Sequence, residues 1–316
     1  MKKILVVGAD GLIGQNLCKL AVEKGIDAVG TYKKTSWARY CPMGIMDPIN
    51  AEEVKEVMKR YQPDVVFIDS SCDSPEYCET HPQEGWAANV EGVLNIVTAA
   101  KEVKSRTFLI STDLVYNGDK DTKYVETDPP EPLSKYAQMK LEGERIVLDA
   151  SKQNCVCRVS ATYGLNKATP KYNFITWALD QMKSNRAVKL LKDQYVTPSY
   201  APDCAAEMML MAERMCVGIY HLAVPECLSR YEMGLKMAEV FGFDPALCVG
   251  INSNEVEPVV IRGKNTCLDT TKVVKEIGRP FMSFEDTLRE LKKNDVDRKK
   301  ESSIETGKSN NFIKIT

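Results

Sequence analysis

The first fourteen residues constrain the fold more than any other stretch. Lys3 is followed by the apolar run Ile4-Leu5-Val6-Val7, then by Gly8-Ala-Asp10-Gly11-Leu12-Ile13-Gly14, then by an amphipathic run over Gln15–Lys24. A short continuous apolar run predicts a strand buried on both faces of a parallel sheet. Glycines three apart between a strand and a helix allow a tight turn and bring backbone N–H groups close to a pyrophosphate at the helix N-terminus. The spacing alone is a weak signal, but strand before and helix after are the context it needs. The segment therefore points to dinucleotide binding through Gly8, Asp10, Gly11, Leu12, Ile13 and Gly14.

The rest of the N-terminal half repeats strand and helix. Asp27–Thr31 predicts a second strand, leading into Tyr32, Lys33 and Lys34. The end of this strand is where an acidic side chain would bind the ribose 2′-hydroxyl of NAD; two lysines stand there instead, which favours the 2′-phosphate of NADP(H) and leaves NAD(H) open. Residues Cys41–Met46 predict a third strand, ending at Asp47 and Pro48 beside the adenine. A helix from Ala51 to Arg60, a strand over Asp64–Ile68, a helix over Gln83–Val103 and a strand over Thr107–Ile110 follow. The last two strands deliver Ser70, Ser71 and Cys72, and then Ser111, Thr112 and Asp113, to the carboxyl edge of the sheet, where open α/β sheets bind ligands. A helix opening near Pro132-Leu-Ser134 and a strand over Cys155–Val159 complete the series. This alternation predicts an α/β fold built on a doubly wound parallel sheet.

After Gly164 the rhythm changes. Helices over Phe174–Lys183, Pro202–Met215 and Tyr231–Phe241 are separated by short strands at Ala187–Leu191 and Gly218–Leu222. The expected organisation is a dinucleotide-binding domain over 1–164, a smaller α/β substrate-binding region over 165–293, and a disordered polar tail over 294–316. Ser283-Phe-Glu-Asp286 has nearly the form of a capping box and opens a last helix, expected to reach Lys293.

Composition removes several alternatives. The 316 residues are 44% hydrophobic and 27% charged with a net charge of −2, so nucleic acid is not the expected partner. No apolar run is long enough to span a bilayer. Eleven cysteines stand beside only two histidines, His81 and His221, and no Cys-x-x-Cys pair occurs. The expectation is no metal site, and reduced, mostly buried thiols in a cytoplasmic protein.

Chemistry enters with Tyr136-Ala-Gln-Met-Lys140. A Tyr and a Lys four apart share one helix face about one turn from each other. A lysine ammonium in that position is expected to lower the phenol pKa, because a nearby positive charge favours the phenolate. Thr112 supplies a second hydroxyl for the same substrate oxygen. Tyr136, Lys140 and Thr112 are thus the candidate catalytic residues, suited to moving a proton while hydride moves.

In this order and spacing, the glycine turn, Asn89, Thr112, Tyr136 and Lys140 resemble the extended short-chain dehydrogenase/reductases, with a Rossmann-type sheet. The likeness narrows to the dTDP-4-dehydrorhamnose reductase branch through Ile110-Ser-Thr-Asp-Leu-Val-Tyr-Asn-Gly118, the stretch Asp193–Asp203 that includes Gln194, Gly218–Leu222 and Leu268-Asp-Thr-Thr-Lys272, and covers about residues 1–293. The resemblance implies NAD(P)H-dependent reduction of a 4-keto-6-deoxy sugar nucleotide. Tyr136 would be the proton donor, Lys140 would hold the nicotinamide ribose and the cofactor would also meet Ser70, Ser71 and Ser111. Cys72, Thr112, Asp113, Ser160, Ala161 and Gln194 would face the sugar nucleotide. Relatives of this class are commonly dimers, which leaves a homodimer open.

Two departures fall on the substrate side. The branch usually reads Arg-Thr-Ser-Trp after the catalytic helix, where this chain has Arg158-Val-Ser160-Ala161. It usually reads Ala-Ala-Tyr-Thr after the fourth strand, where this chain has Ser70-Ser71-Cys72-Asp73. Sugar-nucleotide dehydration needs a Thr-Asp-Glu run, and Leu114 cannot be its base. A 4-epimerase stays open, as does a cofactor-binding regulatory protein resembling the methionine adenosyltransferase β subunit, which belongs to the same branch.

Overall fold

The computed structural model of the protein describes residues 1–33, 40–169 and 172–302. In chain order the main elements are β1 (Lys3–Val7), α1 (Leu12–Glu23), β2 (Asp27–Tyr32), β3 (Met43–Ile45), α2 (Ala51–Tyr61), β4 (Val65–Ile68), α3 (Pro75–Thr80), α4 (Pro82–Trp86), α5 (Gly92–Glu102), β5 (Arg106–Thr112), α6 (Lys135–Ala150) and β6 (Cys155–Val159). They are followed by α7 (Phe174–Lys183), β7 (Val188–Leu191), β8 (Tyr195–Val196), α8 (Ala201–Glu213), β9 (Gly218–His221), β10 (Leu228–Ser229), α9 (Arg230–Phe241), β11 (Cys248–Ile251), α10 (Thr271–Ile277) and α11 (Phe284–Ser302).

Seven strands form one parallel sheet in the order β3-β2-β1-β4-β5-β6-β9. Successive side chains of a strand point to opposite faces. Ile4 and Val6 therefore join one core layer, with Ile13, Leu17 and Ala21 of α1 and Ala205, Met208 and Met209 of α8. Leu5 and Val7 join the other, with Val54 and Met58 of α2, Val93, Ile96 and Val97 of α5, and Val147 of α6. Helices on both faces explain why β4, and β1 after Lys3, read as unbroken apolar runs. This is the doubly wound α/β fold expected from the alternation, with chain reversal between β1 and β4.

A separate apolar cluster gathers Ile175, Leu179 and Met182 of α7, Leu190 of β7, Met233 and Met237 of α9, and Phe284 and Leu288 of α11. Its strands form two small sheets, β7 with β11 and β8 with β10. The main sheet nevertheless draws on both sides of Gly164: β9 pairs with β6, from Cys155 against Gly218 to Arg158 against His221, and α8 packs beside α1. Periodicity identifies such elements but does not say which sheet a four-residue strand joins.

Other differences are local. The polar loop after β4 contains α3, capped by the Ser74 side chain accepting from the Tyr77 amide, with Pro75 in the first turn. The helix expected over Gln83–Val103 is interrupted by a π-helical turn over Ala87–Glu91, which carries Asn89. The last helix runs nine residues past the expected Lys293, to Ser302. Its first turns carry ion pairs such as Arg289 with Glu285 and with Asp286 (3.2 Å), and the backbone stays helical after the hydrophobic periodicity is lost at Asn294. Residues 303–316 of the expected tail lie outside the described residues.

Cysteine pairing also differs from expectation. Cys227 and Cys267 form a disulfide, 40 residues apart, while nine other cysteines are free and all but Cys72 of these are buried. A bridge between positions so far apart has no spacing signature, because only the fold brings them together: Cys227 precedes β10, which pairs with β8, and the segment carrying Cys267 bridges to the same strand through Asn265 and Tyr195. Among the described residues no helix is long and apolar enough to cross a membrane, and no cluster of metal-ligating side chains is present.

Candidate active site

The carboxyl edge of the sheet opens into a cavity of about 940 Å³, within the range of ligand sites. One end is built by the glycine turn. Gly8 has φ +87°, and a Cβ there would lie 2.5 Å from the Ser70 amide nitrogen, so only glycine lets β1 and β4 approach at this point. Gly14 does not line the cavity; its hydrogen in place of Cβ lets α1 lie against the Gly8 carbonyl, which a Cβ would meet at 2.2 Å. The cap residue Gly11 offers no side chain to the helix, a start suited to an anion, although the Gly14 N–H in the same turn already donates to Asp69 at 2.7 Å. Gly8, Asp10, Gly11, Leu12 and Ile13 line this end, with Tyr32, Lys33, Asp47, Pro48, Ser70, Ser71 and Ser111.

Lys33 is not an isolated cation. Its Nζ pairs with an Asp47 carboxylate oxygen at 2.9 Å, on a half-exposed rim. Lys34 lies outside the described residues. Ser111 lines the cavity through its strand position, but its hydroxyl is turned inward to donate to Glu144.

β5 and α6 deliver the proton-handling groups. Ser134 caps α6 by accepting from the Ala137 amide at 3.2 Å, which fixes the first turn on which Tyr136 sits. Tyr136, Lys140 and Thr112 all line the cavity. The Thr112 hydroxyl accepts from the Leu114 amide (3.2 Å) and donates to Asp113 (3.3 Å). Lys140 Nζ donates to the Ile110 carbonyl at 2.7 Å.

The electrostatics correct one sequence expectation. Burial pushes the Tyr136 phenol well above its usual pKa, and Asp73, Cys78, Asp113 and Cys72 push it the same way. The one-turn lysine does not outweigh this; burial lowers Lys140 itself to about 8, against the opposing pull of Asp69, Glu144 and Asp73. Loss of hydration disfavours both charged forms, and a one-turn spacing cannot reveal how dry a helix face is.

The far end of the cavity carries Asp113, Ser160, Ala161, Gln194, Arg230, Arg262 and Thr266. Asp113 accepts from the hydroxyls of Ser160, at 2.7 Å, and Thr266. Burial raises its carboxyl pKa, with those hydroxyls and the Arg230 charge opposing. Arg230, the first residue of α9, lies over the Phe174 ring at 4.5 Å, and burial lowers its pKa to about 10. Ala161 has φ +42°, an uncommon conformation for a residue with a side chain, at the cavity wall.

Cys72 is not brought to this wall. Its backbone is held by Asn89, which accepts from its N–H and donates to its carbonyl, both at 3.2 Å, and the residue packs beside Cys78, Tyr136 and Met139. The unanticipated cavity residues include Arg230, Arg262, Thr266 and Asp69. Arg230 and Arg262 carry no motif, Thr266 becomes meaningful only through Asp113, and Asp69 was hidden as the first polar residue after a strand.

A doubly wound parallel sheet whose carboxyl edge joins a glycine turn to this Thr/Tyr/Lys set defines an oxidoreductase of the extended short-chain dehydrogenase/reductase type. The chain belongs to the family described as RmlD substrate binding domain, whose model matches residues 1–296. It is 27% identical over 314 residues to a dTDP-4-dehydrorhamnose reductase of Aggregatibacter actinomycetemcomitans, covering 92% of this chain and 99% of that one. It is 28% identical over 280 residues to the methionine adenosyltransferase 2 subunit beta of Xenopus tropicalis, covering 87% of this chain and 82% of that one. A crystal structure of dTDP-4-dehydrorhamnose reductase from Bacillus anthracis, in complex with NADP, superposes with a TM-score of 0.84 at 20% identity, covering 93% of this chain and 99% of that one.

Proposed function

We propose that the protein is an NADPH-dependent reductase of the 4-keto group of a nucleotide-linked 6-deoxy sugar. The observation that carries this reading is the convergence of Thr112, Tyr136 and Lys140 on a cavity whose other wall is the glycine turn. The sequence relationship to a dTDP-4-dehydrorhamnose reductase supports the substrate class.

The residues fit a dinucleotide. The start of α1, whose cap residue Gly11 brings no side chain, and the close approach at Gly8 make a cradle for a diphosphate, Lys33 stands where a 2′-phosphate would meet the rim, and Lys140 would hold the nicotinamide ribose. NADP(H), with NAD(H) as the second choice, supplies the hydride; the protein supplies position and protons. Burial keeps the Tyr136 phenol protonated, the state from which it can give a proton to the forming alkoxide. Thr112, held by the Leu114 amide, orients the carbonyl oxygen beside it. Arg230 and Arg262 provide positive charge for the substrate's diphosphate, and Gln194, Ser160 and Asp113 provide polar contacts for the sugar or base. Ala161 leaves room where relatives of this branch carry tryptophan, so the sugar accepted is expected to differ in shape at that face.

The test is NADPH oxidation across a panel of nucleotide-4-keto-6-deoxy sugars, with turnover of at least one expected. The relationship to methionine adenosyltransferase β subunits supports a second reading, a cofactor-binding regulatory subunit. Copurification with a synthetase, together with no turnover on the whole panel, would select that reading instead.

A further inference from the structure

The residue after β4 places an acid at the glycine turn, where a dinucleotide's diphosphate would sit. Asp69 Oδ2 accepts from the Gly14 amide at 2.7 Å, in the first turn of α1. The same oxygen lies so close to Gly11 that a Cβ on that glycine would meet it at 2.2 Å. The carboxylate thus lies against the inner side of the glycine turn, and it lines the cavity with Gly8, Gly11 and Ile13. Helix N-termini favour one anion by their dipole and unpaired N–H groups. Here the protein already provides one.

We propose that Asp69 couples cofactor binding to proton uptake: the dinucleotide's diphosphate binds well only when Asp69 carries a proton. This rests on the dinucleotide reading above. Two negative groups sharing one helix N-terminus repel each other, and the repulsion vanishes if the carboxyl is neutral. The charged groups facing Asp69 do not remove the conflict. Lys140 on α6 favours its ionised form, whereas Asp73 in the loop after β4 and Asp10 in the glycine turn disfavour it. Burial dominates and raises the carboxyl to about 7, so both forms are populated near neutrality before any ligand arrives. A bound diphosphate adds a further negative charge and pushes the pKa higher. The bound state therefore holds more protons than the free state, and affinity must fall as pH rises through 7.

The probe is NAD⁺, whose diphosphate does not titrate between pH 6 and 9 and which lacks the titrating 2′-phosphate of NADP. For the wild-type protein, Kd for NAD⁺ measured by fluorescence is expected to rise on the order of 20-fold from pH 6.5 to 8.5. Asp69→Asn keeps an oxygen for the Gly14 amide and removes the charge. It should bind NAD⁺ more tightly than wild type at pH 8.5 and lose most of the slope. Any residual slope reports Lys140, which titrates in both proteins. If Asp69→Asn does not fold, calorimetry of the wild type at pH 7.5 in two buffers of different ionisation enthalpy measures the proton directly, with about half a proton or more taken up per NAD⁺ bound. Binding without proton uptake, or an unchanged slope in folded Asp69→Asn, overturns the role of Asp69 and leaves the dinucleotide reading intact. Absence of both NAD⁺ and NADPH binding at every pH overturns both.

Discussion

Glu144 lies one turn beyond Lys140 on α6, and its replacement by Gln tests how the catalytic edge is held. Arg158 donates to it twice, through Nε at 2.9 Å and through its terminal nitrogen at 2.6 Å, with both side chains 2% exposed. Glu144 also accepts from Ser111, next to Thr112, while Arg158 donates to the Tyr116 hydroxyl at 2.6 Å. One carboxylate therefore ties α6, which carries Tyr136, to the ends of β5, which carries Thr112, and of β6, which leads into Ser160. Glu144→Gln preserves shape but leaves a buried guanidinium without its counter-charge. Breaking one partner of such a pair costs about 3–5 kcal/mol, which for a chain of this size lowers Tm by roughly 5–8 °C. A thermal melt by circular dichroism reads the loss. The double variant Glu144→Leu/Arg158→Met removes both charges and should recover much of it, since apolar replacement of a buried pair is often neutral. A Tm drop under about 2 °C for Glu144→Gln, or a double variant less stable than the single one, would refute the argument that an unpaired buried charge is what costs stability.

Two further predictions concern the cofactor end. Gly14→Ala places a methyl 2.2 Å from the Gly8 carbonyl, so α1 must move away by on the order of 1 Å, at about 1–3 kcal/mol of stability. NADPH affinity measured by fluorescence should fall at least tenfold, whereas unchanged binding would show that the turn does not set the cradle. Lys33→Ala combined with Lys34→Ala should weaken NADPH by roughly 10- to 100-fold and NADH little, from the loss of charge-assisted contacts to the 2′-phosphate. Equal loss for both cofactors would reject that assignment.

The parts legible in the sequence were those whose signal is local. An apolar run of four or five residues, a glycine turn and a capped amphipathic stretch locate β1, α1, β4 and α6 to within a few residues, because each is specified by its own side chains. Tyr136, Lys140 and Thr112 could be placed at one edge because strand order in a doubly wound sheet puts all carboxyl ends on one side. Properties that depend on long-range packing were not legible. The one-turn spacing of Tyr136 and Lys140 suggested a lowered phenol pKa, but burial decides the sign and raises it. Cys72 followed β4 as Ser70 and Ser71 did, yet Asn89 draws it away from the cavity. Cys227 and Cys267 meet because β10 and the segment that bears Thr266 both pair with β8. Arg230 and Asp69 became visible only when α9 and the glycine turn were set around one space.

The central claim is that Tyr136 donates the proton in reduction of a nucleotide-bound keto sugar, and it is tested most directly with Tyr136→Phe. NADPH binding and NADPH oxidation are measured on the wild type and the variant with the nucleotide-4-keto-6-deoxy sugar that the wild type turns over. The expected result is retained NADPH binding and a turnover lower by about 100-fold or more, the usual scale for removal of a positioned general acid. Turnover unchanged in Tyr136→Phe would contradict it.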